Sequence, residues 1–305
     1  MILILHDGKA FYHQFSAYLK RYGVHHLSLT LRQLTCSVTI QDKNLSIGDS
    51  TWLYEGIKIP LNEIKAILWD FYPHFSEHNP WISDEDYSYA SAEWGAYLTY
   101  FFSSQNSYNM INYFLETFNR INLIKIYKEL KEADIPVPEY AFSCSNHELI
   151  EGLPDSKKYI LKSNIYDKTD FNASGINKNE SAILAIQDTA GLPIHVIVLG
   201  KECLATAIFA HTRKKIDISD VLLKTCLKIA QLFKFKICEI FLKYLNDGTF
   251  FIYSVSAFPE WNISAYSQNE LFHLLLSLLL FNNPNHTKRS FIQKHNRPEV
   301  FIPTF

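Results

Sequence analysis

The chain opens on an uninterrupted apolar run, Met1 to Leu5, that stops at His6 and Asp7. Five residues suffice for a buried strand and fall far short of a secretion signal or a bilayer span. The period then changes. FYHQFSAYLKRYG spaces its apolar residues for one face of a helix that ends at a glycine, while HHLSLTL, SVTIQ and AILWDFY read as strands around it. From Ser88 to Ser104, SYASAEWGAYLTYFFSS returns to helical spacing with aromatic residues on its apolar positions. Strands and helices in this order predict a small open α/β domain.

Further on, Leu123, Ile126, Tyr127 and Leu130 mark one face of a helix from Asn122 to Ala133, closed by Asp134 and by the two prolines of IPVPEYAF. Strand patterns dominate next, in KYILKSN, PIHVIVLG and ECLATAIFAH. DVLLKTCLKIAQLFK is a helix, followed by the strand CEIFLKYL, an NDG turn and the strand FFIYSVSAF. The run LFHLLLSLLLF, Leu271 to Phe281, is about half of what a bilayer requires and reads as a buried helix. The polar tail HTKRSFIQKHNRPEV is expected to be irregular or mobile.

Composition narrows the function classes. A 48% hydrophobic chain of 305 residues supports two or three packed units and argues against disorder. The formal charge of -2 argues against nucleic acid or an anionic membrane as partner. Five cysteines without a CxxC pair fit reduced thiols in a cytoplasmic protein. The twelve histidines show no HExxH pattern, and no P-loop, GxSxG or GxGxxG is present. The aromatic segment Trp69 to Trp81 reads as a loop, either packed against its domain or offering an exposed binding surface. One oddity remains, since Ser254 and Ser256 alternate with apolar residues and place two small hydroxyls on one strand face.

The order of these motifs resembles the ATP-grasp fold, and within it the RimK-like ligases and the synthetases that close lactone and amide rings in graspetide (microviridin-type) peptides. The likeness is loose before Tyr89 and follows the family from there to Trp261. It runs through AILWDFYP, Glu93 with the Ile111-Asn112 pair, NLIKIYKELKEADIPVPEYAF, YILK, IHVIVLG and KIAQLFKFKICEIFLKYLNDGTFFIYSVSAFPEW. It implies an α/β (α+β) chain with an N-terminal open α/β domain over 1–115, a central ATP-grasp subdomain over 116–190 and a C-terminal one over 191–305. It also implies ATP and Mg²⁺ as cofactors, a carboxylate activated as an acyl phosphate and attacked by an amine or hydroxyl, a peptide substrate bound near the N-terminal and central domains, and a homodimer.

Carried over residue by residue, the resemblance places Lys162 where a lysine meets the phosphates. It places Gln187, Asp188 and Thr189 in the hinge that reads adenine through backbone groups, and Glu239 at a metal-ligand position. The departures are concentrated. Leu123 stands for a phosphate-binding lysine, Asp134 for a glycine, His195 for a catalytic arginine, and Asp70 follows Trp69 where the run should continue Tyr-Arg. Lys125 stands two positions after Leu123, about 200° round the helix, and faces elsewhere. Only Gly175 is available for a phosphate-covering loop. Ser254 and Ser256 occupy the places of a metal-binding Glu and Asn, with Glu260 as a nearby spare carboxylate. A neutral hydroxyl is a poor ligand for the hard Mg²⁺ ion. Two readings therefore stand. One is a pseudo-ligase that keeps the fold to bind a peptide or an active ATP-grasp homologue. The other is an active ligase with unusual metal ligands. Four losses of charge or metal-binding oxygen in one site favour the first.

Overall fold

The computed structural model describes residues 1–41, 51–70, 83, 86, 89, 93, 96, 109–112, 122–143, 159–162, 184–210 and 212–281. The chain forms two compact units. The first comprises Met1–Phe118 with Gln268–Arg289, the second Asn119–Ser267 with Ser290–Phe305.

In the first unit, β1 (Ile2–His6), β2 (His26–Thr30), β6 (Ala66–Asp70) and β7 (Asn109–Ile111) make a parallel sheet in the order β2-β1-β6-β7. Every residue of β1 and β6 is buried, as continuous apolar strands covered on both faces must be. Helix α1 (Ala10–Arg21) buries Phe11, Tyr12, Phe15 and Leu19. A second, antiparallel sheet is built from β3 (Val38–Gln41), β4 (Thr51–Tyr54) and β5 (Ile57–Pro60).

Two local features go beyond the sequence reading. The strand expected through Leu31 ends at Thr30, because α2 (Leu31–Ser37) starts there with a reciprocal cap. Thr30 Oγ1 accepts from Gln33 N at 3.2 Å, and Gln33 Oε1 accepts from Thr30 N at 2.9 Å. The capping box satisfies two helix-end donors and outweighs the strand propensity of the preceding residues. In addition, β4 and β5 join through Glu55 and Gly56, both at positive φ (50° and 78°), the geometry of a two-residue hairpin turn. The helix expected over Ser88 to Ser104 lies mostly outside the described residues, although Tyr89, Glu93 and Ala96 are helical. The Trp69 to Trp81 loop beyond Asp70, Gly175 and the polar tail also lie outside them.

Among the described residues the second unit has two sheets. The smaller is antiparallel, in the order β8 (Tyr140–Phe142), β10 (Leu184–Gln187), β9 (Tyr159–Lys162). The larger runs β13 (Arg213–Ile216), β12 (Glu202–Ile208), β11 (Leu192–Leu199), β14 (Ile237–Tyr244), β15 (Phe250–Ser256), also antiparallel. Helix α3 (Leu123–Glu132) turns Leu123, Ile126, Tyr127 and Leu130 inward, as its spacing predicts. Helix α4 (Asp220–Leu232) starts at Ser219, whose hydroxyl accepts from Leu222 N, and buries Leu222, Cys226, Ile229 and Ala230. One apolar core joins both helices to both sheets. It takes Leu184 and Ile186 from β10, and Ile194, Val196, Val198, Cys238, Ile240, Leu242 and Val255 from the larger sheet. That sheet's other face carries the polar residues.

Candidate functional site

The polar face follows from register. Cross-strand pairing aligns Thr206, His195, Phe241 and Ser254 in one row, and Leu204, Ile197, Glu239 and Ser256 in the next. Side chains alternate faces along a strand, so both rows project from the side opposite the core. His195 and Glu239 are fully buried, and Ser254 is 2% exposed. Burial comes in part from the segment after β15, which folds back. Ala265 N donates to Thr206 Oγ1 at 3.1 Å, Arg213 donates to Asn262 O, and Lys215 Nζ sits 4.6 Å from the centre of the Tyr266 ring. Trp261 is buried at the start of a 3-10 turn, Trp261–Ile263.

The sequence-predicted metal ligands are brought together but are differently engaged. Glu239 Oε2 accepts the backbone N–H of Glu260 and lies 3.4 Å from His195 Nε2. The ring of His195 packs on Phe241 with centroids 4.7 Å apart, and neither imidazole nitrogen has a well-aligned hydrogen bond among the described residues. Ser256 closes a local turn, accepting from Phe258 N at 3.1 Å and donating to Phe258 O at 3.3 Å. Ser254 Oγ has no hydrogen-bond partner among the described residues. Glu260 meets Glu239 through its backbone amide. This donor set does not fit magnesium, which takes near-octahedral oxygen ligands with anionic members. Its one buried carboxylate already faces an imidazole and an amide, and one of its two hydroxyls is committed to its own loop.

The residues expected to form the hinge are Gln187, which ends β10, and Asp188 and Thr189 just beyond it. Gln187 N donates to Glu139 O at 2.8 Å. Lys243, on β14, donates to the Asp188 carboxylate and to Thr189 O at 3.2 Å. Tyr253, on β15, binds the hinge through its hydroxyl, at 2.9 Å from Thr189 N and 2.8 Å from Gln187 O. Gly191 then lets the chain pass close to β14, since a Cβ there would stand 2.9 Å from Tyr244 O. Neither Lys243 nor Tyr253 was singled out as a site residue from the sequence. Each looks like an ordinary strand residue, and only the folded chain brings its side chain to residues 187–189.

The remaining positions are simpler. Lys162 is the last residue of β9, paired with Leu184. Asn122 caps α3 by accepting from Ile124 N, which turns Leu123 into the core and leaves Lys125 exposed. Asp134 occupies a left-handed position after α3, at φ 57°, which accounts for a glycine's being suited there. In the first unit, Asp70 is buried and accepts from the Tyr12 hydroxyl. Beside it on β1, His6 accepts from Gly8 N at 3.0 Å through Nδ1, which leaves Nε2–H to donate to Ser28 Oγ at 3.0 Å. Burial first, and the neighbouring His13 second, push the His6 pKa down to about 4, so its ring is neutral near pH 7. Burial also pushes the Cys203 thiol up to about 12 and raises Cys226 and Cys238, and all three are free thiols. None is a nucleophile near neutrality.

No family model matches the sequence, and no curated protein matches it either. Solved structures do match. The macrocyclase MdnC from Microcystis aeruginosa MRC, bound with precursor peptide MdnA, superposes with a TM-score of 0.76 at 9% identity, over 92% of this chain and 99% of that one. An ATP-grasp ligase associated with ribosomally made, modified peptides (RiPPs) in Chryseobacterium gregarium, in complex with ADP and a leader and core peptide, gives 0.72 at 11% identity, over 91% and 96%. The macrocyclase MdnB, also from Microcystis aeruginosa MRC, gives 0.71 at 12% identity, over 92% and 99%. The chain has the ATP-grasp fold, a mixed α/β architecture, over more than nine tenths of its length. No helix among the described residues is long and apolar enough to cross a membrane.

Proposed function

We propose that this chain is a ligase-like protein of the peptide-modifying kind whose magnesium–ATP chemistry has lapsed, and that it serves in the cytoplasm as a module binding a peptide or a partner protein. In this reading residues 1–115 form the N-terminal domain, 116–190 the central subdomain and 191–305 the C-terminal one, whose segment Gln268–Arg289 is lent to the first compact unit. The partner is a precursor-type peptide, an intact ATP-grasp homologue or a second copy of the chain. The peptide is supported by the neighbours, whose structures hold precursor, leader and core peptides. The loss of chemistry is supported above all by one observation, the engagement of Glu239 by His195 and by the Glu260 amide under a folded-back loop.

A second reading, an active ligase forming an amide or ester through an acyl phosphate, draws on the retained Glu239 and on Lys162 at the end of β9. In that case ATP would be held by Lys162 and the hinge, and magnesium by Glu239 with Glu260 turned inward.

Thermal unfolding with and without MgATP separates the two. A ligand at a hundredfold excess over its Kd stabilises by about 2.7 kcal/mol. The lapsed-ligase reading expects no magnesium-dependent stabilisation and no ADP release with peptide present. If stabilisation is seen and Glu239→Gln removes it, the active reading replaces ours.

A further inference from the structure

Gln187 O and Thr189 N–H are a backbone acceptor and donor two residues apart. Such a pair complements the amino group and the ring nitrogen on the pairing edge of adenine. In this chain a single atom meets both. Tyr253 Oη donates to Gln187 O at 2.8 Å and accepts from Thr189 N at 2.9 Å, and Thr189 Oγ1 lies 2.7 Å from it. With the threonine hydroxyl as donor, the one proton and both lone pairs of the phenol are used.

The backbone that carries the phenol is arranged for this contact. Phe241 pairs with Ser254 and the next residue, Leu242, pairs with Ile252, so Tyr253 is the extra residue of a β-bulge. Skipped by the ladder, its carbonyl is instead met by the Tyr127 hydroxyl of α3 at 2.6 Å. Tyr253 is fully buried, and Lys243 Nζ lies 5.3 Å from its ring centre while holding Asp188 and Thr189 O.

We infer that Tyr253 is an internal substitute for a nucleobase, closing the hinge on itself and excluding adenine from residues 187–189. This rests on reading those residues as the hinge of a nucleotide site. A phenol that only braced the fold would make the same hydrogen bonds, so the test must be a gain of binding.

Adenosine, which has no phosphates and needs no metal, probes the hinge alone. It is titrated by calorimetry into the full-length wild type, Tyr253→Phe and Tyr253→Leu. The wild type is expected to show no saturation. Tyr253→Phe releases two hinge groups and should gain about tenfold, the worth of one to two net hydrogen bonds. Tyr253→Leu also removes the ring and should gain more. Saturation of the wild type with the affinity of the Phe variant, or no binding by either variant, overturns the proposal. If Tyr253→Leu does not fold, the Phe variant, which lacks one oxygen only, decides. Magnesium-dependent ATP binding by the wild type that is lost in Glu239→Gln would instead overturn the lapsed-ligase reading, so the two failures are distinguishable.

Discussion

Ser254 carries a hydroxyl to a place where none of the described residues receives it. A buried hydroxyl without a partner costs about 1–3 kcal/mol relative to one that is satisfied, and removing the oxygen recovers part of that. Ser254→Ala is therefore expected to raise the unfolding free energy by about 1 kcal/mol, seen as a higher denaturant midpoint at unchanged slope. A serine in use as a metal ligand would behave otherwise, leaving the apo protein unchanged and weakening MgATP stabilisation. Part of this was legible beforehand, since alternation alone puts Ser254 and Ser256 on one face. The contact of His195 with Glu239 was not. It depends on β11 and β14 pairing with Ile197 opposite Glu239, a register that neither strand's sequence declares.

Helix ends repeat one device in this chain. After α3, Ile135 N donates to Leu130 O and Asp134 N to Lys131 O. After α4, Phe235 N donates to Ala230 O and Lys234 N to Gln231 O. Each is a Schellman closure whose left-handed residue is not glycine, with Asp134 at φ 57° and Lys234 at φ 54°. Aspartate tolerates that conformation better than lysine, and glycine adopts it freely. Lys234→Gly should stabilise by about 1 kcal/mol and Asp134→Gly by about half as much, measured by chemical denaturation. Lower stability in both would show that other contacts of these side chains dominate. The helices themselves were readable from their apolar spacing. The capping box of α2, TLRQ, was equally present in the sequence but is hidden there behind the strand-like residues before it. The β4–β5 hairpin hinges on Glu55 adopting a positive φ, which its residue type gives no reason to expect.

At the scale of the whole chain, the two units are not two consecutive halves. Helix α5 (Gln268–Phe281) follows the second unit in sequence yet belongs to the first. Phe272 sets its ring 5.1 Å from Phe11 and 5.3 Å from Phe15, and Leu271, Leu275 and Leu279 are buried. Four such side chains at about 1.5–3 kcal/mol each match the net stability of an ordinary domain. Ending the chain at Ser267 is thus expected to unfold the first unit, read as rapid proteolysis within residues 1–70, while the second unit keeps its protection. Equal protection of both units would show that α5 is dispensable. The apolar character of α5 was plain from LFHLLLSLLLF, but the surface that receives it is set by three-dimensional closure of the chain, which the linear pattern does not contain.

The bulge at Tyr253 also has a consequence for how the hairpin keeps count. The return strand has one more residue than the strand it answers, and the surplus changes the parity of everything upstream. Phe250 and Ile252 join the core with Val255, while Phe251 between them is only half-buried and packs against its edge. The segment near the NDG turn and the segment bearing the two serines are thereby out of phase, like two rulers offset by a single division. A one-residue deletion on the turn side of Tyr253 would let the ladder run even and leave both serines facing where they do now. What would change is the turn side of the strand, where inward and outward residues would exchange faces.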